Sequence, residues 1–464
     1  MNKHINKILV LSLAVATMGL TSCKDEPDKY EISGGKPVVN YIRCLSSEVV
    51  GNQDDETTKY TNGELVESAY PASTLCLIGE NLRSVVEIYF NDLQANLNTS
   101  YITDNSLIVN IPNAVPNEVS NKMYLISSDK DTVAVDFQVI ISAPTLVSMS
   151  CEYAPQGSTA TIYGSYIIDD PNEPLTVLFK NAAGADVAAE DIVIGDNYSS
   201  VTFTIPEDAV EGPITVKSVY GATKASFQYR DSRGMLFDFD GATGLGNHGW
   251  HPRDILSDET SITGNFVRLG DGNATLDENA TWNDGDFSFE YWCGSWDTPQ
   301  NVTSGDGIAL FNLVDFTDYA NMSLKFEMYI PTASPWMSGA MQICFEGYDK
   351  VTLSGNAIDG YSGTVAGANA YAFNGEANNL GKWGRALYRP WTDTGSYDTN
   401  NEWITVTIPL TSFTFDKDGG QAENVPNKPS DFASLTIFVL GGGLSGTECT
   451  PYIKIDNIRV VPNK

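Results

Sequence analysis

Residues 324–330 read LKFEMYI, an alternation of apolar and polar side chains that includes two aromatic residues. Period-two alternation puts one set of side chains on each face of a half-buried β-strand. The same alternation recurs at residues 107–111 (LIVNI), 201–205 (VTFTI), 404–408 (ITVTI) and 452–455 (YIKI). No long stretch has the 3.6-residue period of an amphipathic helix, so the sequence predicts an all-β protein.

An internal repeat divides the first half of the chain into two similar segments. The paired stretches are IGENL at 78–82 and YGSYI at 163–167, VEIYFN at 86–91 and LTVLFK at 175–180, and VNIP at 109–112 and FTIP at 203–206. Each unit has the length and the several short strands of an immunoglobulin-like sandwich. We expect the glycine at a turn after a core strand and the proline at a strand end. The pattern resembles IPT/TIG domains, which are immunoglobulin-like, and it predicts two of them, at residues 37–142 and 143–230.

The composition changes after Tyr229, because all eight tryptophans lie in the remaining part of the chain. A short polar segment at residues 231–234 is suited to a linker. The length that follows suits one large sandwich better than two small ones. Residues 236–240 (LFDFD) and 452–460 are the expected first and last strands, which often lie side by side in a jelly roll. Residues 231–464 are therefore predicted to form a larger, jelly-roll-like β-sandwich.

Residues 1–22 are predicted to be a lipoprotein signal peptide. Lys3 and Lys7 precede an apolar run from Ile8 to Leu20, which is too short for a transmembrane helix. Small residues before Cys23 resemble a bacterial lipobox, in which the cysteine thiol is lipidated. Ordinary cleavage beside an incidental cysteine is the alternative. No other stretch reaches 18 apolar residues, so the lipid would be the only membrane anchor.

Residues 23–36 are predicted to be an acidic tether. The sequence KDEPD at residues 24–28 resembles the export signal of Bacteroidetes lipoproteins sent to the outer leaflet of the outer membrane. A solvated linker without a signal is the alternative interpretation. The expected location is the cell outer membrane, with the protein lipid-anchored and facing the exterior.

The charge of the chain restricts its partners. Lys and Arg number 27 and Asp and Glu 59, which gives a formal net charge of −32. This charge argues against nucleic acid, polyanionic ligands and anionic lipid surfaces, and it leaves neutral ligands open. Only three histidines are present, too few for a histidine-rich metal site. The six cysteines beyond Cys23 are scattered and form no C-x-x-C pair, so neither a disulfide framework nor a zinc site is predicted.

The tryptophans carry the strongest functional signal. An exposed indole matches the apolar C–H face of a sugar ring, and neighbouring polar groups bond its hydroxyl rim. The loop residues expected to form such a glycan-binding platform are Trp383, Trp391, Trp336, Trp296, Tyr388 and Arg385. Packing in the core is the alternative for each indole, and it is favoured for Trp282, Trp292 and Trp403. The guanidinium of Arg385 is suited either to donating hydrogen bonds in a fixed geometry to sugar hydroxyl groups or to forming a structural ion pair.

Other chemistry has weaker support. Gln342 and Glu346 share one strand face, from which they could bond a sugar. Asp238, Asp240 and Asp456 lie on the expected first and last strands, where they would hold a structural calcium ion or remain solvated edge charges. No other cofactor is expected. No G-x-S-x-G, Walker or H-E-x-x-H motif is present, and 59 acidic residues make a glycosidase-like carboxylate pair uninformative.

The order of these features resembles the Bacteroidetes surface glycan-binding proteins of the B type. The segments that carry the resemblance are LFDFDG at 236–241, YRPW at 388–391, WITVTIPL at 403–410 and IDNIRV at 455–460. The resemblance implies a non-enzymatic lipoprotein that captures a neutral polysaccharide or oligosaccharide, typically a β-glucan or plant hemicellulose. It also implies partners, an outer-membrane importer and its glycan-binding lipoprotein. A surface adhesin or structural lipoprotein and an endo-glycosidase are the alternatives.

Overall fold

The computed structural model describes residues 30–46, 63–249, 251, 253–282, 286–294, 307–347, 351–352, 366–367 and 382–463. Within these ranges every regular element is a β-strand or a short 3-10 segment, which confirms the all-β prediction. No helix among them is long and apolar enough to cross a membrane. The chain divides into two compact units, Met1–Ser142 with Asp170–Glu173, and Ala143–Asp169 with Pro174–Lys464. The boundaries of the three predicted domains, at residues 37–142, 143–230 and 231–464, stay predictions.

The first unit is a sandwich of short strands that are antiparallel except for the pair of β3 and β11. Its strands are β1 (Val38–Ser46), β2 (Glu64–Leu65), β3 (Ser68–Ala69), β4 (Thr74–Glu80), β5 (Val85–Phe90), β6 (Leu93–Ala95), β7 (Leu97–Ile102), β8 (Ser106–Asn110), β9 (Lys122–Ser127), β10 (Thr132–Asp136) and β11 (Gln138–Val139). One sheet has the order β2-β1-β4-β8-β7 and the other β10-β9-β5-β6, while β11 pairs with β3. Leu75, Leu77 and Leu107 of the first sheet pack against Ile88 and Leu125 of the second.

The second unit begins with another immunoglobulin-like sandwich. Its strands are β12 (Thr145–Met149), β13 (Thr159–Ser165), β14 (Thr176–Asn181), β15 (Asp186–Ala188), β16 (Glu190–Ile194), β17 (Ser200–Thr204), β18 (Ala209–Ser218) and β19 (Gly221–Tyr229). They form two sheets, β12-β13-β17-β16 and β15-β14-β18-β19. Ile162 and Phe203 of the first pack with Phe179, Val216 and Phe227 of the second. The alternating residues of the repeat thus supply both inner faces.

The repeated glycine lies inside a strand and not at the expected turn. A Cβ at Gly79 would lie 1.8 Å from the carbonyl oxygen of Val38, and a Cβ at Gly164 would lie 1.9 Å from that of Thr145. The neighbouring strand has a register shift close to each contact, in β1 and in β12. The glycine is therefore required because a neighbouring backbone approaches too closely for any side chain.

Replacing Gly164 by alanine is expected to lower the free energy of unfolding of the second unit by about 1–3 kcal/mol, because the new methyl group overpacks the contact with Thr145. Chemical denaturation of the chain from residue 24 onward measures this loss. The matched control is Gly34→Ala, where the nearest atom to the new Cβ is the Asp129 Oδ2 at 3.5 Å. Equal midpoints for the two variants would contradict the prediction.

The rest of the second unit is a larger sandwich. Its strands are β20 (Met235–Phe237), β21 (Ile255–Leu256), β22 (Phe266–Leu269), β23 (Ser288–Tyr291), β24 (Met322–Tyr329), β25 (Ala340–Glu346), β26 (Val351–Thr352), β27 (Ala366–Gly367), β28 (Ala386–Tyr388), β29 (Trp403–Pro409), β30 (Ser434–Leu440) and β31 (Ile453–Pro462). The 3-10 segments of the chain are Leu82–Ser84, Asp196–Tyr198, Leu310–Asn312, Tyr319–Asn321, Pro390–Asp393, Leu410–Ser412 and Pro429–Asp431.

Two antiparallel sheets face each other across this larger core. One has the order β21-β22-β31-β24-β29, with β20 also paired to β31, and the other has the order β23-β30-β25-β28. Leu324 and Ile455 of the first sheet pack against Phe289, Ile343 and Ile437 of the second. The pairing of β20 with β31 confirms that the expected first and last strands lie side by side.

The two sandwiches of the second unit share a junction at strand β29, which is the edge of its sheet. The amide of Thr405 donates to the carbonyl oxygen of Ser150 at 2.9 Å, and the amide of Glu152 donates to the Thr405 hydroxyl at 2.7 Å. Ile262 belongs to the core of the immunoglobulin-like sandwich, and Trp403 packs against that core. The immunoglobulin-like sandwich therefore covers an edge that would otherwise present unpaired backbone groups.

A buried ionic cluster crosses this junction. Arg459, which is 0% exposed, donates through Nη1 to Glu327 at 2.7 Å and through Nη2 to Glu152 at 2.8 Å. Lys325 Nζ donates to the other oxygen of Glu152 at 2.5 Å. Burial alone would lower the pKa of Arg459, but Glu327 and Glu152 outweigh it and raise that pKa. The guanidinium is therefore charged and neutralised inside the protein, where an unpaired charge would be very costly.

The six described cysteines are free thiols spread over all three hydrophobic cores and their margins. They are Cys44, Cys76, Cys151, Cys293, Cys344 and Cys449. Burial raises the pKa of every one of them. The five buried thiols are therefore protonated and poorly reactive in the folded protein, whereas Cys76 is half-buried.

Candidate functional site

Two of the predicted platform residues lie in the core of the larger sandwich, and a third packs against that core. Trp336 is 0% exposed, and its indole N–H donates to the carbonyl oxygen of Ser338 at 2.5 Å. The indole N–H of Trp391 donates to the carbonyl oxygen of Gly339 at 2.7 Å. The half-buried ring of Tyr388 has its centroid 6.2 Å from that of Trp336. The exposure expected for Trp336 and Trp391 is therefore wrong.

The physical reason is that the chain around Trp336 folds back onto the sandwich. Trp336 and Tyr397 exchange two backbone hydrogen bonds, of 2.8 and 2.9 Å. This bridge ties the turn after β24 to the segment before β29, so that the indole points inward and satisfies its N–H on a local carbonyl group. A proline-rich turn in the sequence does not reveal such a long-range closure.

Trp383 and Arg385 lie on the opposite side of the four-stranded sheet, and both are buried. The indole N–H of Trp383 donates to the carbonyl oxygen of Phe345 at 2.6 Å. Arg385 Nη1 donates to the side-chain oxygen of Gln342 at 3.0 Å. The exposure expected for Trp383 is therefore also wrong. Trp296 lies outside the described residues, and glycan contact by any of the six predicted residues stays a prediction.

The outer side of the four-stranded sheet is polar and buried, which is unusual for an antiparallel sheet. Met341, Ile343 and Phe345 of β25 point into the core, so the alternate residues point outward. The outward side chains, here called the polar face, are Ser288, Glu290, Gln342, Cys344, Glu346, Ser434 and Thr436, and each is at least nine-tenths buried. Buried polar groups are normally hydrogen-bonded, so the partners of this face are informative.

Glu346 is the polar-face residue with unused hydrogen-bonding capacity. Both carboxyl oxygens are buried, and neither has a partner with hydrogen-bond geometry among the described residues. Burial raises the pKa of Glu346 well above its usual range, although Thr436 and Arg385 oppose the effect. The Thr436 hydroxyl accepts the indole N–H of Trp292 at 2.9 Å, which leaves its own hydrogen available to another acceptor. The site therefore favours a neutral Glu346 carboxyl that can donate as well as accept.

An indole stands at the margin of the polar face. Trp282 is only half-buried, and its ring makes edge contacts with His251 at 5.8 Å and Phe438 at 6.1 Å between centroids. His251 is itself held by Glu290, whose Oε1 lies 2.5 Å from the imidazole Nδ1. A core position was expected for Trp282 from the sequence, whereas the structure leaves its side chain half-buried. The residue types at 283–285 (NDG), which favour turns, were the available signal in the sequence for a more exposed place.

The ends of three strands meet beside the polar face. Tyr291 at the end of β23 pairs with Leu435, which also pairs with Phe345 near the end of β25. Ala386 at the start of β28 pairs with Ile343. These strand ends lead into residues 295–306 and 348–381, which contain Trp296 and many glycine, asparagine and tyrosine residues. The polar face therefore adjoins the attachment points of the connections in which recognition residues are expected.

The three carboxylates considered for calcium accept hydrogen bonds from the protein. Asp456 accepts from the Thr263 hydroxyl at 2.8 Å and from the amide of Asn457 at 2.7 Å. Asp240 accepts two hydrogen bonds from one asparagine, and Asp238 accepts one from a backbone amide. Within the ranges that the structure describes, no group of three or more His, Cys, Asp or Glu side chains could hold a metal ion. Calcium at these residues stays a prediction.

Replacing Asp456 by asparagine is expected to remove a pH dependence of stability. Burial raises the pKa of Asp456 to about 8, so the ionised form is disfavoured in the folded state. Its contribution is most favourable below the ordinary carboxyl pKa of about 4, falls as the pH rises towards 8, and is constant above that. The stability of the variant relative to the parent protein should therefore increase as the pH rises. Denaturation midpoints at pH 5, 7 and 9 measure this difference.

The control for this series is Asp315→Asn. The pKa of exposed Asp315 is lowered by hydrogen bonds from Thr317, so its contribution has the opposite sign and is lost as the pH falls. Parallel pH profiles for the parent protein and Asp456→Asn would contradict the assignment of a raised pKa to Asp456.

Comparisons with known proteins agree with this architecture. Residues 229–462 match the family model described as the surface glycan-binding protein B xyloglucan binding domain. The crystal structure of the surface glycan-binding protein PbSGBP-B from Prevotella bryantii is 44% identical, with a TM-score of 0.80, and the alignment covers 93% of this chain and 100% of that chain. The chain belongs to the surface glycan-binding protein B family, a family of cell-surface proteins. The resemblance drawn from the sequence is confirmed.

More distant relatives share parts of this similarity. The SGBP-B from a complex xyloglucan utilization locus in Bacteroides uniformis is 13% identical, with a TM-score of 0.40, over 85% of this chain and 96% of that one. An IPT/TIG domain-containing protein of Bacteroides ovatus is 23% identical over 221 residues, which are 46% of this chain and 42% of that protein. The chain thus spans less than half the length of this curated relative.

Proposed function

We propose that this protein captures a neutral polysaccharide, a β-glucan or plant hemicellulose such as xyloglucan, without cleaving it. The observation that carries the proposal is the match of residues 229–462 to the xyloglucan-binding family model, a region in which the half-buried Trp282 stands at the margin of the polar face. The strongly negative net charge supports a neutral ligand, because it repels polyanions.

The chemistry of the polar face suits a hydroxyl-rich ligand. Gln342 and Arg385 form a hydrogen-bonded pair of amide and guanidinium groups, and Glu346 has two oxygens without a partner of hydrogen-bond geometry among the described residues. The half-buried indole of Trp282 at the margin offers an apolar surface to the C–H face of a sugar ring.

The proposal extends to anchoring and partners. Cys23 would carry the lipid, the acidic tether at 23–36 would lead to the folded units, and the protein would face the exterior from the outer membrane. An outer-membrane importer and its glycan-binding lipoprotein would receive the captured glycan. The lipobox-like sequence before Cys23 supports the anchor. A long polymer that meets many displayed copies would be held by avidity, even where each site is weak.

The first test is affinity electrophoresis of the chain from residue 24 onward in gels that contain xyloglucan, mixed-linkage glucan, β-1,3-glucan, mannan, xylan or starch. We expect retardation by a neutral β-glucan or hemicellulose, with no new reducing ends after incubation. New reducing ends would identify an endo-glycosidase. Unchanged mobility in every gel would favour the adhesin or structural lipoprotein.

Replacing Trp282 by alanine is expected to weaken this retardation by about 3- to 10-fold, because the stacking of one aromatic ring contributes on the order of 1 kcal/mol. The apparent dissociation constant from a polysaccharide concentration series measures the loss. The matched control is Tyr163→Ala, which removes an aromatic ring that is 49% exposed on the immunoglobulin-like sandwich of the same unit. Equal retardation of both variants, with both folded, would refute a ligand contact at Trp282.

A further inference from the structure

A cleft of about 810 Å³ opens at one edge of the first unit. The polar face belongs to the second unit, so the cleft is a separate feature. It is lined by residues 39–42, 65–68 and 135–138 together with Asn121. Strand β2 pairs with β1 at Arg43 and Cys44, and the parallel pair of β11 with β3 links the edges of the two sheets beside the cleft. The volume lies within the range of about 300–1,000 Å³ that is usual for ligand sites.

The side chains at the mouth of the cleft have uncommitted hydrogen-bonding groups. Asn40, Asn121 and Gln138 are exposed, and their side-chain amides have no hydrogen-bond partner among the described residues. Buried Val66 and Phe137 form an apolar floor between them. Each amide offers a donor and an acceptor side by side, the arrangement that matches neighbouring hydroxyl groups of a sugar.

A tyrosine ring is fixed in the same cleft. Tyr41 is 42% exposed, and the guanidinium carbon of Arg43 lies over its ring at 5.4 Å from the centroid. Arg43 is anchored in turn, because its Nη1 donates to the carbonyl oxygen of Gly63 at 2.6 Å. The cation–π contact holds the ring in place and leaves an aromatic surface in the cleft for an apolar C–H face.

The charges around the cleft select against ionic ligands. No lysine or arginine is among its described lining residues, and the Arg43 guanidinium beside it is held over the Tyr41 ring and by the carbonyl group of Gly63. Of its two carboxylates, Asp136 is already paired with Lys122 at 2.5 Å, which leaves Glu67 as a lone acid and little attraction for a basic peptide. A neutral ligand rich in hydroxyl groups fits this combination of amides, one ring and an apolar floor.

We propose that this cleft is a second glycan-binding site, which holds a short stretch of the same neutral polysaccharide. The identity of the ligand rests on the proposed function. Two sites on one chain would make the second contact with a polymer intramolecular, which raises the apparent affinity without any new contact at the first site.

Hydrogen exchange of the chain from residue 24 onward, with and without cellohexaose or xyloglucan oligosaccharides, tests the proposal. We expect slower exchange at residues 38–44 and 135–139 as well as within 229–462. Tyr41→Ala and, separately, Gln138→Ala should abolish the protection at the cleft, retain the protection within 229–462, and weaken retardation by polysaccharide about 3- to 10-fold.

The matched control is Tyr101→Ala, which removes a tyrosine that is 56% exposed on β7, away from the cleft. It should leave both protected regions and the retardation unchanged. Protection confined to 229–462, or protection of the cleft that survives both cleft substitutions, would overturn the second site while the proposed function stands. Absence of protection throughout the chain with every oligosaccharide would overturn both.

Discussion

Replacing Arg459 by methionine is expected to lower the free energy of unfolding of the second unit by about 3–5 kcal/mol, the cost of removing one partner from a buried ion cluster. Glu327 and Glu152, at most 2% exposed, would lose a guanidinium that donates to both of them. Because Glu152 belongs to the immunoglobulin-like sandwich, the loss would loosen the junction as well as the larger core. Chemical denaturation at pH 7 measures it.

The control for this prediction is an ion pair on the surface. Lys180→Met removes the partner of Asp186, at 2.7 Å, where both side chains are at least one-third exposed. A loss of about 0–1 kcal/mol is expected there, since solvent screens the interaction. If Arg459→Met cost no more than Lys180→Met, the cluster would contribute nothing to stability. The double variant Arg459→Met, Glu327→Leu should recover part of the lost stability. It also removes the Glu327 carboxylate, which would otherwise stay buried without its guanidinium partner.

Replacing Trp336 by alanine is expected to lower the free energy of unfolding by about 3–5 kcal/mol and to leave the glycan affinity of the folded protein unchanged. The indole is fully buried, so its loss leaves a cavity, and the carbonyl oxygen of Ser338 loses its donor. Denaturation curves give the stability, and affinity electrophoresis below the unfolding transition gives the binding.

The comparison with Trp282→Ala separates structural from ligand-contacting indoles. Trp282 is half-buried, so its replacement should cost less stability and more affinity than that of Trp336. If Trp336→Ala were instead stably folded and unable to bind glycan, Trp336 would belong to the glycan-binding platform predicted from the sequence.

The strand architecture could be predicted because the information for it is local. Alternation at residues 324–330 defines which side chains face the core, and the structure puts Leu324 and Phe326 there. The repeated glycine also marked a real constraint, although its cause is the carbonyl of a neighbouring strand and not a turn. A pattern over a few residues is enough to specify a strand and its inner face.

The burial of the tryptophans could not be predicted, since it depends on contacts between distant residues. Trp336 is covered because the chain at Tyr397 returns to it, 61 positions later. Glu152 is separated by 307 positions from Arg459, the arginine that it neutralises. Loop composition identifies where recognition residues are common, but it does not say which indoles the fold will enclose.

The raised pKa values of the six described cysteines have a practical consequence. A thiol reagent reacts with the thiolate, so each of the five buried side chains should stay unlabelled until its own surroundings open. Cys44 would report on the first unit, Cys151 on the junction, and Cys344 on the sheet that carries the polar face. The wild-type chain therefore carries its own set of local unfolding reporters, which mass spectrometry after timed alkylation could read separately in one sample.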